Sequence, residues 1–299
     1  MPDCPRQRIV LNAAAGSVED AGALEQRLRA LPHTEVVCTR APGDAARAAR
    51  DAAETGIPRV VAAGGDGTLH EVVQGLARCF DRVQLGLLPL GTGNDFARFV
   101  GIPSELDAAL AILESGEEWG VDVVRLEVAG EDTRWILNAS SAGFSAVVSG
   151  RADGKKDGWG ALAYSLGAMQ AIPELQAYRL RVQVDDDPPE ELEAWSLVLA
   201  NGGSIAGGIR IAPDARVDDG RAELLVVPQM PMTTLAVVLP KILLGQHTEE
   251  DALFRRAVRR LRVESDPPMP LNADGEAAGE TPVFYEVEPR RVRLVTARS

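Results

Sequence analysis

Two glycine-rich turns contain the residues best suited to handle phosphate. The segment Arg59–Gln74, RVVAAGGDGTLHEVVQ, passes from a hydrophobic strand into the turn Gly64–Gly67, and the pattern predicts a helix beginning at Thr68. Thr68 and Glu71 have the spacing of a capping box. Glycines let backbone N–H groups approach a phosphate closely, and a helix N-terminus adds partial positive charge. Asp66 would repel a bare phosphate, so it predicts Mg²⁺ or ordered water at the turn.

A second turn of the same design follows the next strand. In Leu85–Phe96, LGLLPLGTGNDF, the strand ends in small residues and Asp95 follows them. Two such turns on neighbouring strands of an open α/β sheet share the crevice at the strands' carboxyl ends. An ordinary βα turn also needs glycines, but the coincidence of both turns predicts one nucleotide site.

Absent motifs narrow the class of nucleotide site. The sequence has no G-x-x-x-x-G-K-[ST] loop, and neither glycine turn completes the G-x-G-x-x-G dinucleotide fingerprint. Its three lysines, Lys155, Lys156 and Lys241, are all far from these turns in sequence. We therefore expect Mg²⁺, backbone N–H groups and arginine, rather than a P-loop lysine, to balance the triphosphate charge.

Alternating strand-like and helix-like segments must position these turns. This βαβα order predicts a parallel sheet covered on both faces. Strands are predicted at Arg8–Asn12, Glu35–Thr39, Arg59–Ala63, Leu85–Leu90 and Val121–Val128, and helices at Val18–Leu31, Asp44–Thr55, Leu69–Phe80, Asp95–Val100 and Leu106–Glu114.

Strand-like segments dominate after about Val128, and Trp159–Ile172 is the one clear helical pattern there. Turn residues separate most of these strands, so we expect an antiparallel β domain, either a sandwich or a flattened barrel. The predicted strands are Trp135–Ala139, Leu180–Val184, Ala194–Ala200, Ala222–Val227, Val258–Glu264, Pro270–Ala273, Val283–Val287 and Val292–Thr296.

Composition and charge exclude some partners. At 299 residues the chain is long enough for two domains, and its formal charge of −13 argues against nucleic acid. The charge also disfavours electrostatic adsorption to an anionic membrane, although a local basic patch could serve. The cysteines Cys4, Cys38 and Cys79 lack metal-ligand spacing and indicate reduced thiols. No signal peptide is recognised at the N-terminus. The most apolar later segment, Thr233–Gly245, is too short to span a bilayer. A cytoplasmic protein is expected.

The motifs together resemble the bacterial diacylglycerol kinase family of lipid kinases, relatives of sphingosine and ceramide kinases within a superfamily that includes NAD kinases. The resemblance covers essentially the whole chain. Its most specific segments are GGDGTLHEVVQGL (Gly64–Leu76), LPLGTGNDFAR (Leu88–Arg98), VDVVRL (Val121–Leu126), IAPDARVDDGRAELLVV (Ile211–Val227) and LNADGE (Leu271–Glu276).

This resemblance implies an α/β nucleotide-binding domain over 1–130, joined by a C-terminal strand at about 289–299, and a β-sandwich lipid-substrate domain over 131–288. It implies ATP and Mg²⁺ as cofactors, with the catalytic Mg²⁺ held by Asp66, Asp95 and Asp122, partly through water. The implied ATP contacts are Asn12, Ala13, Ala14, Ala15, Gly16, Thr39, Gly65, Asp66, Gly67, Thr68, Leu69, His70, Glu71, Thr92 and Asn94.

The resemblance also implies a structural Mg²⁺ in the segment DARVDDGR. Its ligands would be the Asp219 side chain and the backbone carbonyls of Arg216 and Arg221, an oxygen-only set of the kind that hard cations prefer. Without the resemblance, a plain hairpin with an Asp-Asp-Gly turn explains the segment equally well.

The DGE turn would supply the catalytic base. Asp274 and Glu276 match the family motif, and a carboxylate can accept the proton of a hydroxyl that attacks the γ-phosphorus. The motif does not say which of the two carboxylates is the base. A DG turn between strands is also a common hairpin signal.

Two positions depart from the family pattern. The first phosphate loop usually reads Asn-Pro-x-Ser-Gly, whereas Asn12–Gly16 reads Asn-Ala-Ala-Ala-Gly and Ser17 follows. The hydroxyl is absent or displaced by one residue, so weaker ATP binding is expected. His70 stands where asparagine is usual, and it could hydrogen-bond the nucleotide or face solvent.

Two segments could contact a lipid. The apolar helical pattern Gly158–Ile172 could form a wall of an acyl-chain cleft or pack on the sandwich core. Phe254–Arg262, FRRAVRRLR, concentrates five arginines that could contact anionic headgroups or could protect a strand edge from pairing.

The sequence therefore predicts an ATP-dependent lipid kinase that phosphorylates diacylglycerol and contacts the inner face of the cell membrane transiently. A homodimer is left open. The alternatives are an NAD kinase, whose Asn-Asn-Glu motif is absent, and a nucleotide- or lipid-binding regulator that has lost catalysis.

Overall fold

Two units of different architecture make up the fold. The structure, a computed structural model, describes residues 5–16, 18, 20–146 and 175–297. Unit 1 is Met1–Val121 with Arg290–Ser299, and unit 2 is Asp122–Pro289. The chain passes from one unit to the other inside the strands Glu117–Val128 and Val283–Thr296. The domain boundaries at 130/131 and 288/289 that the resemblance implies stay a prediction.

Unit 1 alternates strands and helices. Its elements are β1 (Gln7–Leu11), α1 (Ala21–Arg29), β2 (Thr34–Cys38), α2 (Asp44–Glu54), β3 (Arg59–Gly64), α3 (Asp66–Leu76), β4 (Gln84–Pro89), α4 (Asp95–Phe99) and α5 (Leu106–Ser115). The strand order is β2–β1–β3–β4, all parallel, and the chain's last strand adds beside β4. All six residues of β3 are buried, as expected for a central parallel strand covered on both faces. The predicted α/β architecture is confirmed.

Close packing fixes α3 against α2. The buried alanines of α2 recur at helical spacing and give it a flat apolar face. Gly75 of α3 lies against this face, because a Cβ added there would come within 2.3 Å of the Ala46 carbonyl oxygen. This contact fixes the C-terminal end of α3 against α2.

Unit 2 is rich in antiparallel strands. Its elements are β5 (Glu117–Val128, which starts in unit 1), β6 (Arg134–Ile136), β7 (Ala139–Gly143), β8 (Tyr178–Val184), β9 (Glu190–Ala200), β10 (Ala222–Pro228), α6 (Met232–Leu243), β11 (Phe254–Val258), β12 (Arg260–Asp266), β13 (Pro270–Ala273), β14 (Glu276–Glu280) and β15 (Val283–Thr296). The long strand β9 pairs with β8 along its first half, with β7 along its second half, and with β10 on its other edge.

Side-chain alternation along β9 and β10 separates two apolar layers. Leu197 and Leu224 point into the main core, whereas Val198 and Leu225 point to the opposite face. Successive residues of a strand face opposite sides of the sheet. Helix α6 covers that opposite face with its buried side chains Leu235, Val238 and Ile242.

Three sequence-based assignments of helices and strands need correction. Helix α6 was missed, because its apolar residues do not alternate with polar ones and Pro240 lies inside it. The predicted strand at 135–139 is two strands, since the N–H groups of residues 137–139 donate to a side chain instead of a neighbouring strand. The predicted strand at 258–264 also divides, because the Asp185 carboxylate accepts the N–H groups of Arg259 and Arg260.

The segment Gly158–Ile172, predicted to be helical, lies outside the described residues, as does Ser17. Within the described residues, no helix is long and apolar enough to cross a membrane.

Candidate active site

The turns that follow β3 and β4 contact each other backbone to backbone. A Cβ added to Gly91 would lie 2.5 Å from the Gly65 Cα atom, so neither turn has room for a side chain there. The Leu90 N–H donates to the Gly64 carbonyl at 2.9 Å. The two predicted phosphate turns therefore form one surface at the carboxyl ends of neighbouring strands.

Asn94 shapes the second turn from within. Its side-chain oxygen accepts the Gly91 N–H at 3.1 Å, and its amide group donates to the Gly91 carbonyl at 2.6 Å. Its backbone has a φ of 50°, a left-handed conformation that asparagine tolerates better than most residues. Asn94, expected to contact the nucleotide, thus has its side chain engaged in holding the turn.

The loop after β1 joins the same surface. Asn12 donates its side-chain amide to the Thr68 hydroxyl at 3.2 Å and accepts the Ala14 N–H at 3.1 Å. A Cβ on Gly16 would lie 2.7 Å from the Thr92 Oγ1 atom, which places this loop against the turn after β4. Ala13, Ala14 and Ala15, which lie between Asn12 and Gly16, have no side-chain hydrogen-bond donors.

Thr39 lies at the end of β2, one strand further along the sheet. Its N–H donates to the Leu11 carbonyl at 2.8 Å. The sequence-predicted residues 12–16, 39, 65–71 and 92–94 thus follow the carboxyl ends of the four parallel strands.

The start of α3 differs from the predicted capping box. The helix begins at Asp66 with Gly65 as its N-cap, and the described residues give it no side-chain cap. Glu71 instead accepts the N–H groups of Gly43 and Ala45 at 2.9 and 3.0 Å, and so caps α2. The capping-box interpretation was wrong because Glu71 points to a neighbouring helix. Gly65 leaves the first N–H groups of α3 without a side chain in front of them, as an anion site requires.

His70 is buried in α3, with 6% of its surface exposed, and the neighbouring Thr68 and Leu69 are buried as well. The suggestion that His70 faces solvent was therefore wrong. Gly67, by contrast, is exposed at the start of the helix. Burial of Thr68, Leu69 and His70 anchors the start of the helix. The exposed surface of its first turn is therefore formed by the backbone of Asp66 and Gly67.

The three acidic residues expected to hold catalytic Mg²⁺ have different surroundings. Asp66 is half-buried at the start of α3, and Asp95 is 5% exposed at the start of α4, with Arg98 at 3.6 Å. Asp122 belongs to unit 2 and is fully buried, and its carboxylate accepts the Gly220 N–H at 2.7 Å. Among the described residues, no three acidic, histidine or cysteine side chains form a group that could hold a metal.

The DARVDDGR segment closes on itself as a turn. The Asp219 carboxylate accepts the Arg221 N–H at 3.0 Å, and Asp218 lies 3.3 Å from the Arg216 guanidinium. The hairpin interpretation was wrong, because residues 210–221 contain no strand and form a loop that leads into β10, with the Gly220 N–H bonded to Asp122. The structural Mg²⁺ at Arg216, Asp219 and Arg221 stays a prediction.

The DGE segment is a two-residue hairpin turn between β13 and β14. Asp274 and Gly275 both have positive φ, 48° and 97°, as a type I′ turn requires. The Asp274 carboxylate accepts three backbone N–H groups, at 3.0 Å from Leu137, 2.9 Å from Asn138 and 3.0 Å from Ala139. Because a carboxylate has about four acceptor positions, Asp274 is mostly occupied in holding this segment.

Glu276 has the opposite surroundings. It is the first residue of β14, pairs with Ala273 across the turn, and is exposed. Its carboxylate makes no hydrogen bond or ion pair that can be identified within the described part of the chain. Glu276 is therefore the member of the pair that is free to accept a proton.

A buried asparagine connects the two acidic positions of unit 2. Asn201 is fully buried and donates to the Asp122 carbonyl at 3.0 Å and to the Leu137 carbonyl at 2.7 Å. It therefore joins the segment that Asp274 holds to the strand that carries Asp122. Sequence reasoning missed Asn201, and the only local signal is its place between a strand and two glycines.

Beneath the DGE hairpin, Tyr285 fixes the neighbouring strands. Its hydroxyl lies 2.9 Å from Ser140 Oγ, which also donates to the Asn272 carbonyl at 2.7 Å. Burial raises the pKa of Tyr285 to about 12, although the bond to Ser140 lowers it, so the phenol stays neutral. The hairpin thus stands on a rigid base.

An apolar cavity lies in unit 2 between α6 and the sheet. Its empty volume is about 700 Å³ when space open to solvent is included. The serines Ser145 and Ser196 bond to each other at 2.6 Å, so little polar capacity faces the cavity. The other lining residues are Phe144, Leu175, Trp195, Val198, Ile205, Ile209, Ile211, Leu225, Val227, Leu235, Leu239, Ile242 and Leu243.

The arginine-rich segment is less basic than its sequence indicates. Arg255, Arg256 and Arg260 lie 3.5, 3.0 and 2.8 Å from the carboxylates of Asp214, Asp187 and Asp186, respectively. These ion pairs offset the charge of three of the five arginines, and contact of this segment with anionic headgroups stays a prediction.

Comparison with known proteins places this geometry in a family. Residues 6–126 match the family model for the diacylglycerol kinase catalytic domain, and residues 138–296 match the YegS C-terminal NAD kinase beta sandwich-like domain. A diacylglycerol kinase of Staphylococcus epidermidis is 30% identical over 298 residues, which are 98% of this chain and 92% of that protein. This chain belongs to the diacylglycerol kinase family. A family member from Staphylococcus aureus is 31% identical over 285 residues, 94% of this chain and 89% of that one.

Solved structures share the fold of these kinases. A diacylglycerol kinase from Bacillus anthracis has a TM-score of 0.76 at 20% identity, covering 99% of this chain and 98% of its own. An NAD kinase from Archaeoglobus fulgidus in complex with ATP has a TM-score of 0.53 at 15% identity, covering 97% and 94%. These likenesses concern the fold alone, whereas family membership makes the chain a kinase of the lipid kinase type.

Proposed function

We propose that this kinase transfers the γ-phosphoryl group of ATP to the hydroxyl group of a membrane lipid. Diacylglycerol fits best as the acceptor, with phosphatidic acid as the product. The observation that carries the proposal is the contact between Gly65 and Gly91, which joins two phosphate-type turns into one surface in a diacylglycerol kinase family member.

Backbone groups would hold the nucleotide phosphates in unit 1. Gly65 and Gly67 leave the N–H groups at the start of α3 open to an anion. The loop after β1 offers backbone donors but, over Ala13–Ala15, no hydroxyl. We expect this loop to bind ATP more weakly than one with a serine.

The acidic residues at the strand ends fit a magnesium ion that keeps part of its water shell. Asp66 and Asp95 supply oxygen ligands next to the phosphate turns, and Mg²⁺ commonly binds one or two carboxylates plus substrate phosphates. When bound, Mg²⁺ would offset charge on the phosphoryl oxygens. Asp122 would contribute through the backbone that it holds, since its carboxylate already accepts the Gly220 N–H.

Glu276 would act as the general base. As the lipid oxygen attacks the γ-phosphorus, the bond from phosphorus to the ADP oxygen breaks and the hydroxyl proton passes to the Glu276 carboxylate. The carboxylate of Glu276 is exposed and makes no identified bond within the described residues, which supports this assignment over Asp274, which holds residues 137–139.

The apolar cavity under α6 favours a lipid acceptor over a soluble one. Acyl chains need an apolar environment, and the cavity walls are almost entirely aliphatic and aromatic. NAD, the acceptor of the related kinases, would gain nothing from such walls. The proposed place of action is therefore the cytoplasmic face of the membrane, where this lipid would be reached.

Phosphoryl transfer from labelled ATP to a panel of acceptors tests this proposal. The panel holds diacylglycerol, phosphatidylglycerol, ceramide and sphingosine in mixed micelles and NAD in solution, each with and without Mg²⁺. We expect Mg²⁺-dependent label in phosphatidic acid. Label in NAD alone would overturn the lipid assignment, and no label while ATP still binds would favour a regulator.

A further inference from the structure

The outward side of α6 is unusually apolar for a helix on a protein surface. Met232, Val237 and Leu244, at its start, middle and C-cap, are 52, 57 and 67% exposed. They are the large hydrophobic side chains found exposed in the part of the chain that the structure describes. Ala236 and Pro240, exposed between them, add no polar group, whereas Thr233 is a polar residue exposed on the same helix. We name the five apolar residues the apolar face of α6.

The inward side of the same helix is apolar as well. Leu235 and Ile242 pack on the sheet, and Leu239 and Leu243 line the apolar cavity. A surface helix of a water-exposed protein normally presents polar residues outward, and a helix that is hydrophobic all round is normally covered. The thickness of this one helix therefore separates the apolar cavity from an exposed apolar face.

Most of the basic side chains identified around this helix are paired with carboxylates. Lys241, the one basic residue of α6, is paired with Glu250. Arg255, Arg256 and Arg260 of β11 and β12 are paired with carboxylates, and the whole chain carries a formal charge of −13. Exposed Arg210, which lies beside Gly245 after the helix, adds a single positive charge near this face, so a contact with a bilayer at this helix would be mainly hydrophobic.

We propose that the apolar face of α6 inserts into the surface of a lipid bilayer and so places the adjoining cavity at the level of the acyl chains. The proposal rests on the proposed function, because only an enzyme with a lipid acceptor needs this contact. Diacylglycerol has a small headgroup and lies within the bilayer, so an enzyme that uses it gains from a contact of this kind.

The double variant Val237→Glu/Leu244→Glu tests the proposal. Its matched control, Ala23→Glu/Gln26→Glu, adds the same two charges to exposed positions of α1. Sedimentation is measured with neutral phosphatidylcholine vesicles containing dioleoylglycerol, at low and high salt. We expect the wild type and the control to bind at both salt concentrations and the α6 variant to bind roughly tenfold less or weaker still.

Activity on a soluble acceptor separates this proposal from the proposed function. Dihexanoylglycerol is supplied as monomers, below the concentration at which it forms micelles. We expect the α6 variant to phosphorylate it as the wild type does, while its activity on vesicle-borne dioleoylglycerol falls about tenfold. If no protein phosphorylates either lipid, the proposed function fails. If the α6 variant keeps full vesicle binding and activity, the proposed function stands and the bilayer contact is overturned.

The rival occupant of this face is a second copy of the chain. Light scattering of the wild type and the α6 variant shows whether the substitutions change the molar mass. A wild-type dimer that becomes monomeric in the variant, with unchanged vesicle binding, would assign the face to a dimer interface and overturn the proposal.

Discussion

The two units place their functional groups by different means. In unit 1 the candidate phosphate surface is made by loops that each follow a strand, and its tightest contact joins the glycines Gly65 and Gly91. In unit 2 the reactive turn is held by side chains that reach distant backbone groups, as Asp274 does to residues 137–139. The first design needs small residues in local patterns, and the second needs specific polar side chains at long range.

This difference separates groups that react from groups that support. In unit 1 the loops themselves would bind the nucleotide, so a small change in shape there should weaken binding directly. In unit 2 the exposed carboxylate of Glu276 can be removed without disturbing its neighbours, whereas Asp274 and Asn201 cannot. Substitutions in the two units should therefore give different kinetic and stability signatures.

The largest effect is expected from Glu276→Gln. Loss of the general base should lower kcat about 10²–10⁴-fold and leave the melting temperature unchanged, because Glu276 is exposed. Asp274→Asn should lower both kcat and the melting temperature, since one of its acceptor oxygens becomes a donor facing backbone N–H groups. Steady-state kinetics with thermal melting of both variants distinguishes the roles. A stable, inactive Asp274→Asn beside an active Glu276→Gln would reverse the assignment.

Gly91→Ala should have the next largest effect. A Cβ at this position would lie 2.5 Å from Gly65 Cα and 2.8 Å from Asn94 Oδ1, so the two turns must separate. We expect nucleotide affinity, measured by calorimetry, to fall roughly tenfold or more, because misplaced backbone donors lose charge-assisted bonds.

Gly22→Ala in α1 is the matched control, because its nearest contact would be an ordinary 3.5 Å. It should bind nucleotide as the wild type does and be slightly more stable, since alanine favours helix. Equal affinity of both variants would show that the Gly65–Gly91 contact does not shape the nucleotide site.

Asn201→Ala should affect the stability of the fold more than it affects the catalytic rate. Two buried carbonyl groups, of Asp122 and Leu137, lose their donor, which should lower the free energy of unfolding by roughly 2 kcal/mol or more. Urea denaturation measures the change, and Gln26→Ala on the exposed side of α1 should shift it by less than about 0.5 kcal/mol. If the free energy of unfolding changes no more for Asn201→Ala than for this control, Asn201 does not connect the Asp122 strand to the segment around Leu137.

The smallest effect concerns pH. His247 in unit 2 is fully buried and bonds to the Ile211 carbonyl at 3.0 Å, and burial lowers its pKa from the usual 6.5. The unfolded chain therefore takes up the proton first as the pH falls. The stability that neutral His247 contributes is present above the unfolded pKa and is lost as the pH falls through the folded pKa.

Between about pH 7.5 and 5.5 the slope from this group cannot exceed about 1.4 kcal/mol per pH unit. His247→Gln, which keeps a side-chain donor for Ile211, should flatten the decline measured by urea denaturation at several pH values. An identical decline in wild type and variant would show that His247 does not contribute.

Much of unit 1 could be predicted from the sequence because its signals are local. Strand, glycine turn and helix follow one another within about 15 residues at both phosphate turns, and the bounds of α2 and β3 differ from prediction by one residue. The capping box failed because Glu71 has a tertiary partner. A spacing rule cannot distinguish a carboxylate that turns back on its own helix from one that caps another.

Unit 2 was predicted as a class but not in detail. The DG turn identified the β13–β14 hairpin, yet the three N–H groups that Asp274 accepts lie more than 130 residues away in sequence. Pro240 and the continuous apolar run over residues 235–240 concealed α6. The arginine-rich segment suggested a basic surface. The acidic residues that pair with Arg255, Arg256 and Arg260 come from other segments, so the local sequence does not show these ion pairs.

Phosphoryl transfer from labelled ATP to diacylglycerol, with NAD present as a competing acceptor, tests the central claim most directly. The wild type, Gly91→Ala and Glu276→Gln are compared at saturating and limiting ATP. We predict label in phosphatidic acid and none in NAD. Saturating ATP should restore much of the rate of Gly91→Ala, and none of the rate of Glu276→Gln. Label in NAD, or full activity of Glu276→Gln, would contradict a lipid kinase that binds its nucleotide on the glycine turns and uses Glu276 as its base.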